Sequence, residues 1–348
     1  MRLAVNNVVA CLGGADTRLE ARPQPIPGPG ELVLRLRVVG LCGTDLFKLA
    51  VGSEAPGTVL GHEVVGEVIG LGEGVDEFAL GDRVVVPHHV PCGECVYCER
   101  GNETMCETFR KNLMVPGGFA DTILIDERAV SLAARRVAGE ISDDAAVFME
   151  PAACVLRGVR RSGLTANGLA VVQGAGSMGL LHLLVLRAAI SDVRVMMIDP
   201  VEERRKAATD LGADEAVTPE EAAERLGDVG ADTVFDTVGG AVPLQAALGL
   251  TRQGGTVVLF AHAPDGEAAN FDLNDLFKYE RRVIGTYSGA LKEQAEIFDL
   301  ISLGKLDPTP LATHRMPLDD FDRGVALMQN REALKVLFTP SKASLEPE

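Results

Sequence analysis

The chain lacks any apolar stretch long enough to cross a membrane. Its longest, residues 180–190, is interrupted by His182 and Arg187 and falls well short of the roughly 20 residues that a span needs. The first residues also lack the apolar core of a signal peptide, because Asn6, Asn7 and Gly13 follow soon after the start. These absences predict a cytoplasmic protein with no membrane partner.

Basic residues are scarce beside acidic ones. The chain has 33 Lys and Arg against 50 Asp and Glu, a formal net charge of -17. Such a surface repels phosphate backbones and anionic lipid, so nucleic acid is not an expected partner. What the chain does have is length: 348 residues, 47% of them apolar, exceed what one core usually covers and predict two domains.

The pattern of residues changes near position 150, and no internal repeat or long linker interrupts it. Up to about Asp126, short β-branched runs alternate with Gly and Pro, which is typical of antiparallel strands joined by tight turns. From about Pro151, strand patterns alternate with amphipathic helix patterns, as in βαβ units around a parallel sheet. The predicted fold class is therefore α/β, a β-rich domain plus a doubly wound domain. The predicted parallel strands are residues 169–173, 193–199, 234–236, 256–260 and 283–285.

Helix ends are predicted by local signals in the second half of the chain. A helix over residues 202–211 is expected to stop at Gly212, which can adopt the left-handed conformation beyond a helix end. Further helices are expected at residues 291–303 and after Leu318, followed by a closing strand at residues 335–338.

A glycine-rich loop follows the first predicted parallel strand and opens a helix. Gly174 permits the tight turn, Gly176 allows close approach of a pyrophosphate, and Gly179 allows close packing of helix on strand. Free N–H groups at the helix start attract phosphate charge. This context predicts a dinucleotide site, with a merely structural glycine turn as the alternative. The glycine loop comprises Gly174, Ala175, Gly176, Ser177, Met178 and Gly179.

An acidic residue at the end of the next strand points to the nucleotide that the loop accepts. Asp199 lies about twenty residues after the loop, where a carboxylate bonds the ribose hydroxyls and repels a 2′-phosphate. NAD is therefore predicted over NADP. Arg204 and Arg205 nearby leave NADP open, and a solvated helix start is the alternative interpretation of Asp199.

Four of the seven cysteines crowd into one segment, which predicts a closed tetrahedral zinc site. In a reducing compartment this clustering favours metal thiolates over disulfides. An iron–sulfur cluster fits less well, because the fourth cysteine lies farther on and is not followed by Pro. A closed site leaves no position for substrate, so this zinc is expected to be structural. The four-cysteine loop is defined by Cys92, Cys95, Cys98 and Cys106.

A second group of candidate metal ligands lies upstream. Cys42 and His62 are about twenty residues apart, each beside glycines, with the carboxylates of Asp45 and Glu63 next to them. These are the ligand types of a catalytic zinc site. Taken by themselves they are also compatible with a buried cysteine and a core histidine.

The motifs in their order along the chain resemble zinc-dependent medium-chain dehydrogenases, in the branch that contains the sorbitol and threonine dehydrogenases. The resemblance covers nearly the whole chain. It implies a GroES-like catalytic domain over residues 1–150, a Rossmann NAD-binding domain over 151–288, and a return to the catalytic domain over 289–348. It also implies a substrate cleft between the domains and a homodimer or homotetramer. The matching motifs begin at Cys42, Gly61, Gly81, Cys92, Met149 and Gly174.

Carried over residue by residue, the resemblance implies two zinc ions per subunit, one catalytic and one structural. Cys42 and His62 would hold the catalytic ion, with Glu63 and Glu150 ligating it directly or through water. For the two carboxylates, orientation of His62 or of water is the alternative. Glu150 stands where classical liver-type alcohol dehydrogenases have Cys. Asp45 would orient His62.

Three further positions bear on the reaction that the resemblance implies. Thr44 would pass the substrate proton outward, with a strand cap as its alternative role. Many family members continue that relay through a His where this chain has Phe47. Lys335 resembles the position whose cation reaches the cofactor pyrophosphate, with a snorkelling surface lysine as the alternative.

The remaining titratable or polar residues are assigned to structure on the sequence alone. His88 and His89 are interpreted as loop residues, since four thiolates already close the neighbouring zinc site. Packing roles are expected for Cys11, Cys154 and His182, and Tyr287 and Ser288 either line the cleft or cap a strand.

The sequence therefore predicts a zinc-dependent enzyme that transfers hydride from a secondary alcohol to NAD. The expected substrates are a polyol, sugar alcohol, aminocyclitol or hydroxy amino acid. A zinc-dependent reductase of less polar ketones or aldehydes is the closest rival, since Phe47 makes the entrance more apolar. A catalytically silent binding protein is disfavoured because all the metal ligands are present. A nucleic-acid-binding zinc ribbon is disfavoured because the four-cysteine loop has no basic stretch.

Overall fold

A computed structural model of the chain describes residues 5–345, and these residues form two compact units. The first unit combines the residues up to Glu150 with those from Ala290 onward, and the second is Pro151–Gly289. The strands are β1 (Val5–Gly13), β2 (Asp16–Pro23), β3 (Leu32–Gly40), β4 (Glu63–Leu71), β5 (Arg83–Pro87), β6 (Met114–Val115), β7 (Thr122–Ile125), β8 (Arg135–Arg136), β9 (Leu169–Gln173), β10 (Arg194–Ile198), β11 (Glu215–Val217), β12 (Ala231–Asp236), β13 (Thr251–Leu259), β14 (Arg282–Gly285), β15 (Ala312–Pro317) and β16 (Lys335–Thr339).

The helices range from 4 to 14 residues in length. They are α1 (Gly43–Val51), α2 (Val96–Glu99), α3 (Glu127–Leu132), α4 (Asp143–Ala146), α5 (Met149–Ser162), α6 (Ser177–Ala189), α7 (Glu202–Asp210), α8 (Pro219–Leu226), α9 (Ala241–Leu250), α10 (Leu273–Phe277), α11 (Leu291–Ser302), α12 (Phe321–Gln329) and α13 (Lys342–Leu345). Among the helices of the described residues, none is both long and apolar enough to span a bilayer.

The first unit is built on a mostly antiparallel sheet with strand order β15-β16-β3-β4-β5-β8, to which β7 and β6 add beside β3. The sequence of β3 explains its central place, since Leu and Val occupy most of its positions and seven of its nine residues are buried. The core of the first unit also contains apolar side chains from β1, β7 and the C-terminal strands. Large, fully buried members of this core are Leu32, Leu34, Phe119, Ile123, Ile125 and Phe338.

Four strands of this sheet bring their ends to one edge. Glu63, the first residue of β4, pairs with Gly40 at the end of β3 and with Pro87 at the end of β5. Gly40 in turn pairs with Leu337 of β16, two residues after Lys335. Segments that are far apart in sequence therefore supply side chains to one place.

The second unit is a six-stranded parallel sheet with order β11-β10-β9-β12-β13-β14. The chain runs outward from β9 in one direction and then returns to build the other half from β12, so the order reverses beside β9. In such sheets the carboxyl ends of the strands at the reversal point form the ligand crevice. The parallel sheet predicted from the sequence is confirmed, and β9 has the predicted bounds.

Most of the predicted elements of the second half hold with shifts of a residue or two at the ends, but β12 and β13 begin three and five residues before the predicted starts at 234 and 256. The helix α7 ends at Asp210, with Gly212 at φ +95° beyond it, as its sequence predicts. The strand β11 is missing from the prediction. Its three residues, Glu215–Val217, are too few to show a periodic pattern, and pairing with β10 defines it.

Candidate metal and nucleotide sites

Cys42 is positioned by the start of α1. Its Sγ accepts a hydrogen bond from the N–H of Thr44 at 3.5 Å, and the Asp45 carboxylate accepts from the N–H of Cys42 at 3.1 Å. Together these bonds form a capping box, which satisfies N–H groups that a helix start leaves without partners. The Cys-Gly-Thr-Asp motif thus creates a rigid helix start with a sulfur at its first turn.

Asp45 also connects this helix start to His62. It is buried, accepts from the N–H of Gly61 at 3.3 Å, and places Oδ1 3.4 Å from Nδ1 of His62. Gly61 has φ +89°, and a Cβ there would lie 2.8 Å from the Phe119 nitrogen, so glycine is required. With Nδ1 directed at a carboxylate, the other ring nitrogen of His62 is available to a metal.

The charges around His62 determine its protonation in the metal-free protein. Burial by itself lowers the pKa of His62, but the nearby charges of Asp45 and Cys42 raise that pKa well above its ordinary value. The pKa of Asp45 would be raised by burial, yet His62 holds it below its ordinary value. A metal that binds Nε2 therefore displaces a proton from His62.

Glu63 forms a buried ion pair with Lys335. The Nζ of Lys335 lies 2.5 Å from Oε2 and 2.6 Å from Oε1 of Glu63, and both residues are buried. Room for the pair comes from Gly40, where a Cβ would lie 1.9 Å from Oε2 of Glu63. Burial alone lowers the pKa of Lys335, and the charges of Glu63 and then Cys42 raise it above its ordinary value.

The position of Lys335 corrects one interpretation of the sequence. The interpretation of Lys335 as a snorkelling surface lysine is wrong, because only 3% of this residue is exposed. Its ammonium group is directed at Glu63 within the first unit. Contact with a cofactor pyrophosphate stays a prediction.

The ligand atoms of Cys42, His62 and Glu63 all lie within 4.8 Å of one another, and we name this group the mixed-ligand cluster. Thiolate, imidazole and carboxylate at this spacing suit a single zinc ion. Glu150, in the first turn of α5, is buried but is not a member of this group. Its role as a ligand stays a prediction.

The four cysteines of the four-cysteine loop form the other candidate metal group among the described residues. Their sulfur atoms lie within 4.8 Å of one another, with Cys95 and Cys98 3.6 Å apart and Cys92 and Cys106 3.5 Å apart. Without metal, burial raises the pKa of Cys98 to about 12. Burial would also raise the pKa of Cys106, but a hydrogen bond with Thr108 lowers it to about 5. A shared cation would remove this uneven protonation, because it binds all four as thiolates.

A stack of aromatic rings runs from the mixed-ligand cluster toward the four-cysteine loop. The sequence did not predict this stack. The ring centroids of His62 and His88 are 4.6 Å apart, those of His88 and His89 3.6 Å, and those of His89 and Phe109 5.1 Å. Burial lowers the pKa of His88 well below its ordinary value and that of His89 to about 4, so both rings are neutral. In the sequence, the two histidines directly follow β5. The last residue of that strand, Pro87, pairs with Glu63, the neighbour of His62.

In the second unit, each of the three glycines of the glycine loop has a different geometric role. Gly174 has φ +90°, and a Cβ at Gly179 would lie 1.8 Å from the Gly174 oxygen. A Cβ at Gly176 would meet nothing within 4 Å, so the space in front of it is open. Gly176 precedes α6 without any side-chain cap, which leaves N–H groups at Ser177 and Met178 free to face an anion.

Asp199 is attached to the glycine loop. Its Oδ2 accepts from the N–H of Ala175 at 2.8 Å, and its Oδ1 accepts from the N–H of Val201 at 2.9 Å. The Arg204 guanidinium lies 3.8 Å from Oδ2, and Arg205 donates to the backbone oxygen of Asp199. The interpretation of Asp199 as a solvated residue at a helix start is therefore wrong, because only 3% of this residue is exposed.

The other residues considered in the sequence take varied places. Thr44 is half-buried in the first turn of α1, and Phe47 on the same helix is 43% exposed. Tyr287 is exposed and Ser288 has a left-handed φ of +55°. His182 is fully buried, with Nδ1 against the Met178 oxygen, in agreement with a packing role.

Comparison with known proteins matches both units. The description "Alcohol dehydrogenase GroES-like domain" fits residues 28–134 and "Zinc-binding dehydrogenase" fits residues 177–303. These matches confirm the predicted fold class, a GroES-like β-rich unit with a Rossmann unit.

Individual relatives match over almost their whole length. The chain is 28% identical to a sorbitol dehydrogenase of Halalkalibacterium halodurans, covering 94% of this chain and 97% of the relative. It is 33% identical to a D-altritol 5-dehydrogenase of Agrobacterium fabrum, covering 84% and 87%. The crystal structure of 2R,3R-butanediol dehydrogenase from Bacillus subtilis superposes with a TM-score of 0.84 at 27% identity, covering 97% and 100%.

Proposed function

The chain belongs to the alcohol dehydrogenase family that joins a GroES-like domain to a zinc-binding dehydrogenase domain, and we propose that it oxidises a secondary alcohol with zinc and NAD. One observation carries the proposal. Cys42, His62 and Glu63 gather their ligand atoms within 4.8 Å, although Cys42 lies twenty residues before the adjacent His62 and Glu63. In the reverse direction the same groups would reduce a ketone.

Zinc fits the two candidate metal groups by the chemistry of their donors. The four-cysteine loop offers a closed tetrahedral set, and the mixed-ligand cluster offers sulfur, nitrogen and oxygen with a position left for substrate. When bound in the cluster, zinc supplies the Lewis acidity that lowers the pKa of the alcohol hydroxyl, and NAD supplies the hydride acceptor.

The residues around the cluster would each have a defined task. Asp45 orients His62 so that its Nε2 is directed at the metal, and it disfavours rotation of the ring. Thr44, next to Cys42, carries a hydroxyl that can accept the substrate proton and pass it on. Lys335 holds Glu63 beside the cluster through their buried ion pair. Glu150 is proposed as a further carboxylate that ligates the metal directly or through water.

NAD is the proposed cofactor rather than NADP. The open space at Gly176 and the uncapped start of α6 provide a place for the pyrophosphate. Asp199, one residue beyond β10, would accept hydrogen bonds from the ribose hydroxyls and repel a 2′-phosphate. Arg204 reduces that repulsion, so some use of NADP is compatible with the proposal.

The substrate class is proposed from the relatives and from the site. Sorbitol, altritol and butanediol dehydrogenases act on alcohols with several hydroxyl groups, and a polyol or sugar alcohol is the class we propose here. An aminocyclitol or hydroxy amino acid has the same arrangement of a carbinol beside a polar group. The exposed ring of Phe47 favours a second candidate, a reductase of less polar ketones or aldehydes.

We also propose that the chain assembles through the outer edge of β14. This strand ends the order of the second sheet and pairs only with β13 among the described residues. Leu273 and Phe277 on the preceding α10 are 75% and 82% exposed. An open strand edge and exposed apolar side chains shortly before it in the sequence both suit a symmetric dimer. Light scattering should give the mass of a dimer or tetramer. Phe277→Asp should shift the measured mass toward that of the monomer.

The function is tested by NADH formation with polyols, cyclitols, threonine and simple secondary alcohols. Turnover should disappear on chelation and return with zinc. Cys42→Ser should abolish turnover and remove one zinc ion per chain, while Cys154→Ser, outside both metal groups, should preserve both. Turnover that survives complete loss of metal from the mixed-ligand cluster contradicts the proposal. Faster turnover of apolar ketones than of any polyol favours the reductase.

A further inference from the structure

Asp143, the first residue of α4, is held by two arginines from the sheet of the first unit. The Nε of Arg37 lies 2.7 Å from its Oδ2, and Nη1 of Arg83 lies 2.9 Å from its Oδ1. Arg37 belongs to β3 and Arg83 to β5, with β4 between them. The Asp143 side chain is only 10% exposed, so water and salt screen these pairs less than pairs on an open surface. We name these three residues the arginine clamp.

Local features of the chain direct both arginines to this place. Arg37 lies at a register shift in the pairing of β3 with β4. Such an irregularity re-aims a side chain that a regular strand would present differently. The guanidinium of Arg83 also donates to the backbone oxygen of Ile141 at 2.9 Å, so it binds the chain on its approach to α4. The clamp thereby fixes the start of α4 against the sheet.

The arginine clamp and the mixed-ligand cluster lie along the same strands. Arg37 is three residues before the end of β3 and Arg83 four before the end of β5, and both ends pair with Glu63 of the cluster. At the rise of a strand, this places the cluster about 10–14 Å beyond the clamp. Glu150 follows Asp143 by seven residues of mostly helical chain, which span about 10 Å. The segment between them therefore has the length that reaches from the clamp to the cluster.

The direction of this segment is given by Phe148, which is buried two residues before Glu150. Its ring centroid lies 5.9 Å from the Nζ of Lys335, the ammonium group that pairs with Glu63. An ammonium group at this distance is attracted to the face of a ring. The segment thus begins at the clamp and runs toward the cluster, with Glu150 at its end.

We infer that the arginine clamp positions Glu150, and so sets how closely this carboxylate approaches a metal in the mixed-ligand cluster. The inference rests on the proposed function, in which Glu150 ligates the metal directly or through water. Groups that orient a metal ligand without touching the metal typically account for about 10–100-fold in metal affinity. Arg37, Arg83 and Asp143 are positioning residues in this sense, because they act on the metal only through the segment that they hold.

The test uses cobalt as the probe, because its visible absorption reports the ligands and geometry of the site that holds it. Four thiolates and one thiolate give different bands, so the two metal groups are followed separately. Asp143→Asn should lower the cobalt affinity of the mixed-ligand cluster by about tenfold and shift its bands, with the four-cysteine loop unchanged. Affinity is measured by competition with a chelator.

Arg37→Gln removes the more exposed member of the clamp and should change the same bands, which keeps the test open if Asp143→Asn fails to fold. Asp82→Asn is the matched control. Asp82 forms a comparable pair with Arg136 at 2.8 Å at the edge of the same sheet, and its loss should leave the cobalt affinity of both metal groups unchanged. Unchanged affinity in Asp143→Asn or Arg37→Gln as well would overturn the inference.

A double-mutant cycle with Glu150→Gln shows whether the clamp acts through Glu150. In the Glu150→Gln background, Asp143→Asn should cause no further loss of cobalt affinity. Losses that add would show that the clamp affects the cluster by another route, and they would overturn the inference. Equal weakening of both metal groups would show that the clamp only stabilises the unit, which would overturn it too.

Metal affinity is measured without substrate, so failure of this inference is distinct from failure of the proposed function. If the wild type oxidises no alcohol but the cycle shows coupling between Asp143 and Glu150, the dehydrogenase proposal fails and the role of the clamp stands. If zinc-dependent oxidation is found without that coupling, the inference about the clamp is wrong and the proposed function stands.

Discussion

The Lys335 ammonium group lies 2.5 Å from a carboxylate oxygen of Glu63, and the two residues are 272 positions apart in the sequence. Neither side chain is exposed to more than 4%. The C-terminal strand of the first unit thereby contributes a charge beside the mixed-ligand cluster, whose residues come from the N-terminal half. Because both charges are buried, each depends on the other for compensation.

Removal of one charge of this pair should be more damaging than removal of both. Lys335→Met leaves the Glu63 carboxylate buried without a partner and should lower the free energy of unfolding by about 3–5 kcal/mol. The double variant with Glu63→Gln should recover much of that loss. Urea unfolding of the chelator-treated protein measures both, with the exposed Lys342→Met as a control. A single variant as stable as the wild type would contradict the prediction.

The ion pair between His62 and Asp45 predicts how the stability of the metal-free protein depends on pH. The pKa of His62 is raised on folding, so its contribution is complete below the unfolded value near 6.5 and is lost as pH rises through the folded pKa. The pKa of Asp45 is lowered, so its contribution is lost only in acid. Between neutral and alkaline pH, the wild type should therefore lose stability relative to Asp45→Asn.

Urea midpoints of the two chelator-treated proteins over about pH 6 to 9 measure this difference. A constant difference across that range would show that His62 does not gain its charge from Asp45. Zinc should show the opposite dependence on pH and bind more tightly as His62 loses its proton. In Asp45→Asn the zinc affinity should fall by about 10–100-fold, since the ring loses its orienting partner.

The four-cysteine loop should lose its metal when one sulfur is removed. Cys98→Ser is expected to reduce the zinc content from two ions per chain to one, because three thiolates no longer close a tetrahedral site. The loop should then become sensitive to protease, since it has little core of its own. Elemental analysis and limited proteolysis provide the measurements, with Cys11→Ser as the control. Two zinc ions in Cys98→Ser would refute a metal role for this sulfur.

Asp199 should control the choice of nucleotide through its charge. Asp199→Asn keeps an acceptor for the N–H of Ala175 but removes the repulsion of a 2′-phosphate. The affinity for NADPH relative to NADH should therefore rise by about tenfold, as measured by nucleotide fluorescence. Asp210→Asn, exposed at the end of α7, is the matched control. An unchanged ratio would show that Asp199 acts only by holding the glycine loop.

Features that depend on neighbours in sequence were predicted well. The glycine loop, the bounds of β9 and the stop of α7 before Gly212 follow from local backbone geometry, so a short window of sequence contains their signal. The spacing of the cysteines from Cys92 to Cys106 predicted that their sulfurs would meet, and they do meet within 4.8 Å. The two-domain fold class followed from the change of pattern near residue 150.

Features that depend on strand register could not be predicted. Lys335 was expected at the cofactor or on the surface, because nothing near it in sequence shows that Glu63 is its partner. His88 was interpreted as a loop residue, because its place beside His62 depends on the pairing of β4 with β5. A shift of one residue would turn either side chain to the other face.

The sequence by itself determined the type of protein: its two units, its candidate metal ligands and its glycine loop, all encoded by short motifs whose geometry is local. Only the tertiary structure decided which side chains surround the mixed-ligand cluster. Long-range strand pairing places the ammonium group of Lys335 and the ring of His88 there, and the free energy of that pairing comes from burial of the whole sheet. No short motif records which distant residues such a sheet brings together.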